Sequence, residues 1–363
     1  MRPYILTIDR RANRHMAGQL VDALAAHSEP TLVCPTPNAK YVRSGARVIE
    51  VDFPAHKYQP SFFWKMARLV ARLRREKPDV IHCLDVYPVL TLFQPFMRFC
   101  PLIQVWHDVT PHPGDRWKFF NTNRRISTRL ADAVVVHGEK LKSDFLALMP
   151  DIAGKVYAVP HGTTMLFAQW PDEPESVPEE DNVLLFGRIR KYKGVEVFLK
   201  AAKLIHEQMP NVTFTIAGQG DVTGYADLLA ETRDYVELDN RIVPDELVPK
   251  LFRRAKVISL PYIEGSASGV LAVAHGFGKP SVITPVGSIG EYVEDGVTDL
   301  VVPPGDHAAL AEATMKLLRD DELRAGLSAG IRAKVENELS YDRVAIRLLE
   351  IYDQLIQRRK ARR

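Results

Sequence analysis

The chain is short of cysteine and has no long apolar run, and its charge is nearly balanced. Each shortage removes a class of protein. Three cysteines, Cys34, Cys83 and Cys100, lie far apart in 363 residues. They have neither the even number of a disulfide scaffold nor the close spacing of a zinc site, and are expected to be reduced, buried thiols of a cytosolic protein. No apolar segment approaches the ~20 residues that span a bilayer, and Met1 to Thr7 runs straight into a short strand, so neither a membrane anchor nor a leader is expected. The formal net charge is only +3. With no helix-turn-helix signature, zinc finger or aromatic RNA-binding motif, nucleic acid is not an expected partner. A dinucleotide fingerprint is missing too: Gly218-x-Gly220 lacks a third glycine and the acidic residue that should follow.

What is present is alternation of strand and helix patterns. Tyr4–Ile8, Pro30–Cys34, Val48–Val51, Val80–Cys83, Leu102–Trp106, Ala133–His137 and Val156–Val159 read as strands, separated by amphipathic stretches such as Met16–Ala26. From Val183 to about Leu318 the same logic repeats. Such alternation predicts α/β architecture with doubly wound parallel sheets. The length suits two domains. The stretch 169–182, rich in Pro, Asp and Glu, reads as an exposed connection. The expected division is therefore 1–165, a linker over 166–182, a second domain over 183–340, and a helix over 341–363.

Two strand ends in the second half look built for an anion. Val183 to Phe186 is continuous apolar strand; Gly187 then turns the chain and delivers Arg188, Arg190, Lys191 and Lys193 ahead of Gly194 and a helix. In an open α/β sheet, the carboxyl end of a strand beside a helix amino terminus is where ligands bind. The second end follows Val257 to Leu260: a Pro-Tyr break, Glu264, then small residues entering a helix near Ser268, whose first amides (Ser268, Gly269 and Val270) are expected to face an anion. Two such ends suggest a diphosphate.

The order of Gly187-Arg188, Lys193-Gly194, IAGQGD (216–221), NRIVPDELVPKLFRRAKVISLPY (240–262), EGSASGVLAVAHGFGKPSVITPVGSIGE (264–291) and DGVTDLVVPPGD (295–306) resembles the donor half of family 4 glycosyltransferases, over about 160 residues. The resemblance implies the GT-B fold, two Rossmann-like domains facing a central cleft, the final helix crossing back to the first. It also implies retaining transfer of a sugar from a nucleotide-diphosphate donor, a UDP-sugar or GDP-mannose, to a glycan acceptor. In that reading Arg188 and Lys193 clamp the diphosphate, Ser268, Gly269 and Val270 meet its distal phosphate, Arg241 and Ile242 receive the base, and Glu264 faces the sugar. The nucleotide-sugar is a co-substrate; no other cofactor and no metal is expected. Three departures stand out. The second glutamate that commonly holds the ribose is replaced by Ala272 or, aligned backward from Gly278, by Val273. Residues 8–16, IDRRANRHM, lack the family's glycine-rich turn, and Pro160-His161-Gly162 stands where Pro-Asn-Gly is frequent. The missing glutamate keeps open a catalytically degenerate, nucleotide-sugar-binding partner subunit.

The first half is basic. Residues 1–160 hold 23 Lys and Arg against 14 Asp and Glu, whereas residues 161–363 hold 25 against 31. FFWKMARLVARLRREK (62–77) and DRWKFFNTNRRISTRL (115–130) mix those cations with aromatics. An anionic membrane surface at the inner leaflet, with a lipid-linked acceptor, is one expectation; an ordinary core stripe of Phe62, Phe63, Trp64, Leu69 and Leu73 with a solvated back is the favoured one for the first segment. After the strand Leu102–Trp106 come His107, Asp108 and His112 in a loop stiffened by proline. Histidine there can take or give a proton near neutral pH. By resemblance His107 lies against the donor sugar, and Asp108 and His112 serve sugar or acceptor. A serine hydrolase is not supported, because Gly265-Ser266-Ala267-Ser268-Gly269 misplaces the serines of a nucleophile elbow.

Overall fold

The computed structural model of the chain describes residues 1–11, 13–54, 56–109, 119–170 and 177–362. They form two compact units, Met1–Gly162 with Ser340–Arg363, and Thr163–Leu339.

In the first unit, seven strands make one parallel sheet: β1 Pro3–Leu6, β2 Thr31–Pro35, β3 Arg47–Val51, β4 Val80–Cys83, β5 Leu102–Trp106, β6 Ala133–Val136 and β7 Val156–Ala158. Their order is β3-β2-β1-β4-β5-β6-β7, the doubly wound arrangement, which reverses between β1 and β4. Central strands are mostly apolar because helices cover both faces, with His82 in β4 and Gln104 in β5 as buried polar exceptions. Two of those helices are α1, Arg14–Ala25, and α2, Pro60–Glu76. α2 buries Phe62, Met66, Leu69, Val70 and Leu73, spaced at helical period, against the sheet. Trp64 departs from the expected stripe. It lies a half-turn away, is 58% exposed, and carries the Arg68 guanidinium 4.5 Å above its ring.

The second unit repeats the plan with six parallel strands: β8 Glu180–Phe186, β9 Thr213–Ala217, β10 Val236–Asp239, β11 Ala255–Leu260, β12 Ser281–Ile283 and β13 Leu300–Val301, ordered β10-β9-β8-β11-β12-β13. The order reverses between β8 and β11. Helix α3, Val195–Gln208, follows β8, and α4, Gly269–Gly276, follows β11. The last helix, α5, Tyr341–Lys360, packs on the first unit, burying Tyr341, Val344, Ala345, Leu348, Ile351, Tyr352 and Leu355 with the core of β1, β4 and β5. Each large apolar side chain so buried contributes about 2 kcal/mol, enough to hold a terminal helix in place.

The connection between units is shorter than its composition suggests. Leu166 and Phe167, expected in an exposed linker over 166–182, are buried, and Phe167 joins the second unit's core while stacking on Trp170. The Thr164 amide donates to the Ala272 carbonyl, and Glu180 to Asn182 are already strand. The second unit thus begins at Thr163, because two apolar side chains outweigh the polar residues after them. Residues 171–176 lie outside the described residues.

Candidate active site

The reversal between β8 and β11 brings together residues that are 75 positions apart in sequence. Gly187 leaves β8 at φ +100° and Gly194 opens α3 at φ +73°, conformations that a side chain would strain. A Cβ on Gly194 would fall 1.8 Å from the Pro261 carbonyl oxygen, so only glycine lets the turn after β8 sit against the exit of β11. The Ile263 amide donates to the Tyr192 carbonyl and ties the two exits together.

Lys193 is drawn inward by this packing. Its side chain is buried, and its ammonium donates to the Tyr262 hydroxyl at 2.8 Å, which in turn lies 3.2 Å from the Ser268 hydroxyl. The ammonium and a Val270 methyl each stand 3.2 Å from where a Cβ on Gly187 would be, so a side chain there would press on both. Among the described residues no carboxylate pairs with Lys193. A buried cation without a counter-charge is costly unless an anion completes it. Arg188, exposed at the exit of β8, likewise has no ion pair among the described residues.

α4 brings further hydrogen-bond donors to the same strand exits. Ser268 caps the helix by accepting from the Leu271 amide. The amides of Gly269 and Val270, in the first turn, have no intrahelical partner, and Gly269 faces open space. Glu264 is exposed in the preceding loop. Arg241 and Ile242 follow β10 on the same carboxyl edge, two strands from β8. Arg241 is occupied with Asp239 at 2.8 Å, and Ile242 is half exposed. Ala272 and Val273 are both buried apolar residues, and neither brings a carboxylate to α4.

In the first unit His107 ends β5 half-buried, and both of its ring nitrogens are engaged. Nε2 lies 3.0 Å from the Leu84 carbonyl oxygen and Nδ1 3.1 Å from Nε2 of His137. Both ring nitrogens are thus spent on protein groups. Asp108 follows it, half-buried; His112 lies outside the described residues. Where β1 and β4 diverge, the buried Asp85 carboxylate accepts from the Thr7 hydroxyl, the Ile8 and Asp9 amides and the Asn13 side chain. Burial pushes its carboxyl above the usual range, against the opposing pull of those donors. Asn13, at φ 59°, holds a left-handed conformation at the start of α1.

Sequence comparison matches residues 14–164 to Glycosyltransferase Family 4 and residues 180–320 to Glycosyl transferases group 1. The chain is a GT-B glycosyltransferase of the family 4 type. It is 25% identical to a glycogen synthase of Mycobacterium tuberculosis, over 92% of this chain and 88% of that protein. It is 23% identical to a phosphatidyl-myo-inositol mannosyltransferase of Mycolicibacterium smegmatis, over 97% and 92%. In fold it is similar to Anabaena Alr3699/HepE, solved in complex with UDP, with a TM-score of 0.73 at 17% identity, covering 98% of this chain and all of that one.

In this glycosyltransferase Tyr262 escaped sequence reading, although the Pro-Tyr break directly after a buried strand was its signal. A hydroxyl at a strand exit next to an anion site is a side chain that orients others. His137 escaped too: it reads as the last residue of an apolar strand, and only the sheet order sets it beside His107.

Proposed function

We propose that the cluster around Lys193 binds the diphosphate of a nucleotide-sugar, a UDP-sugar or GDP-mannose, and that the chain transfers the sugar with retention of configuration to a glycan acceptor. The observation that carries this reading is the buried Lys193 ammonium, tied to Tyr262 and without a carboxylate among the described residues. A diphosphate supplies the missing charge, and it leaves as an anion when the sugar–oxygen bond breaks, so Lys193, Arg188 and the Gly269 and Val270 amides stabilise what develops in the transition state. Glu264 and His107 are assigned to holding the donor sugar, Arg241 and Ile242 to the base, and Asp108 and His112 to sugar or acceptor. No resident metal enters this scheme. Thermal unfolding with UDP, GDP, ADP and dTDP tests it: a nucleotide at about a hundred times its dissociation constant stabilises by ~2.7 kcal/mol. The reading requires a shift with one of them that is lost in Arg188→Ala and Lys193→Met. No shift with any would return the chain to the degenerate-partner reading.

A lipid-linked acceptor on an anionic membrane surface belongs to the same proposal, and the exposed face of α2 favours it. Trp64 stands out with Arg68 over its ring, beside Lys65 and Arg72 along a groove of about 350 Å³. An exposed indole among cations suits the headgroup region, and no described helix is long and apolar enough to cross the bilayer. In the other basic segment the signal is weaker, since Arg124 turns inward to the Val109 carbonyl. Flotation with anionic vesicles should carry the wild-type protein and fail for Trp64→Ser with Arg68→Ser; equal flotation of both would remove this face from the proposal.

A further inference from the structure

Four adjacent strands of the first unit each bring a histidine toward the carboxyl half of the sheet: His82 on β4, His107 after β5, His137 after β6 and His161 beyond β7. The rings of His107 and His137 have centroids 5.0 Å apart, and those of His137 and His161 are 5.1 Å apart. The hydrogen bonds of the first pair form a closed chain. It runs from the Leu84 carbonyl to Nε2 of His107 (3.0 Å), from Nδ1 of His107 to Nε2 of His137 (3.1 Å), and from Nδ1 of His137 to the Val159 carbonyl (3.3 Å). A carbonyl oxygen only accepts. Each end of the chain therefore needs a hydrogen on nitrogen, and the central contact needs one more. Three hydrogens on four nitrogens exceed by one what two neutral imidazoles carry.

We propose that His137 is a positioning residue which, by sharing this additional proton, locks His107 as a cation donating from both nitrogens rather than as a base. The assignment to His107 follows from its surroundings. His137 is buried; that burial, with His107, His161 and His82 around it, holds its ring well below the ordinary range. Burial likewise drives His82, bonded to the Tyr352 hydroxyl, down to about 3 and His161 to about 4. His107 is half-buried at the sheet edge. Asp85, next to Leu84, and Asp108, next to His107, are the carboxylates of the neighbouring loops. The locked ring fixes the chain as it leaves β5 and places a positive charge on the carboxyl edge of this sheet. Its bearing on catalysis rests on the transfer reading above.

Nitrogen-15 NMR of the imidazoles in the whole chain tests the pair without substrate, with His107→Gln and His137→Gln used for assignment. At neutral pH the pair should show three nitrogen-bound hydrogens, and raising the pH should remove one from both rings' signals together. In His137→Gln, whose amide still donates to Nδ1, His107 should revert to a neutral ring. That variant should also lose about tenfold in kcat, the scale seen for partners that orient a functional side chain, with KM for the donor nearly unchanged. Two neutral rings in the wild-type protein at neutral pH, or an unaltered His107 signal in His137→Gln, would overturn the proposal. The spectra do not depend on nucleotide, so failure of the donor reading is seen separately, as a missing thermal shift.

Discussion

The two sheets share a topology, yet the points where their strand order reverses are finished in opposite ways. Between β1 and β4 the chain fills the site itself: Asp85 gathers four donors from the turn after β1, one of them the side chain of Asn13, which stands at positive φ. Between β8 and β11 the chain leaves its donors unspent, a buried ammonium on a tyrosine hydroxyl and two helix amides. One doubly wound fold thus yields a closed structural knot at one reversal and, at the other, an open cradle of donors proposed to take an anion. Side chains at the strand exits, not the sheet, decide which.

The sharpest way to break this contrast is to remove the open site's cation. Lys193→Met should lower kcat/KM for transfer by roughly 10²- to 10³-fold, the cost of one donor to a developing anion, while the unliganded protein unfolds no earlier. Normal turnover would show that the cradle is not used. Asp85→Ala should do the reverse, destabilising by about 3 kcal/mol because four donors lose their acceptor, with nucleotide-dependent stabilisation kept; denaturant unfolding with and without nucleotide separates the two. Tyr262→Phe sharpens the picture within the cradle. Loss of the hydroxyl should weaken nucleotide binding about tenfold, or 1.4 kcal/mol, by releasing Lys193 and Ser268. Calorimetric titration reads it directly.

The smallest effect belongs to the first sheet's histidines. The buried ring of His82 is held down to about 3, whereas unfolding exposes it to its ordinary value near 6.5. The unfolded chain then binds the extra proton, so stability is full above pH 6.5 and falls as pH drops toward 3. Lowering the pH from about 6.5 to 5.5 should cost about 1 kcal/mol through His82, and His82→Gln should flatten that slope in urea unfolding. An unchanged slope would show that acid acts elsewhere.

Much of the architecture was legible because burial on two faces forces continuous apolar runs, and each of the seven strands expected in the first half lies in its sheet within a residue or two. The clustering of residues at the proposed anion site was legible for a related reason. Gly187 and Gly194 are demanded by local backbone geometry, and Arg188, Lys193 and Ser268 follow them at short range. Leu166, Phe167 and Trp64 were misjudged because neighbouring composition outvoted single side chains.

The sequence by itself determined the alternation of strands and helices, the family, and the placing of cations and small residues at strand exits, since each is set by a periodicity or a turn of a few residues. Only the tertiary structure decided that Tyr262 holds Lys193, that Asp85 seals the first sheet's reversal, and that His137 meets His107. Those pairings join residues on different strands, and strand order, fixed by crossovers dozens of residues long, is what makes them neighbours.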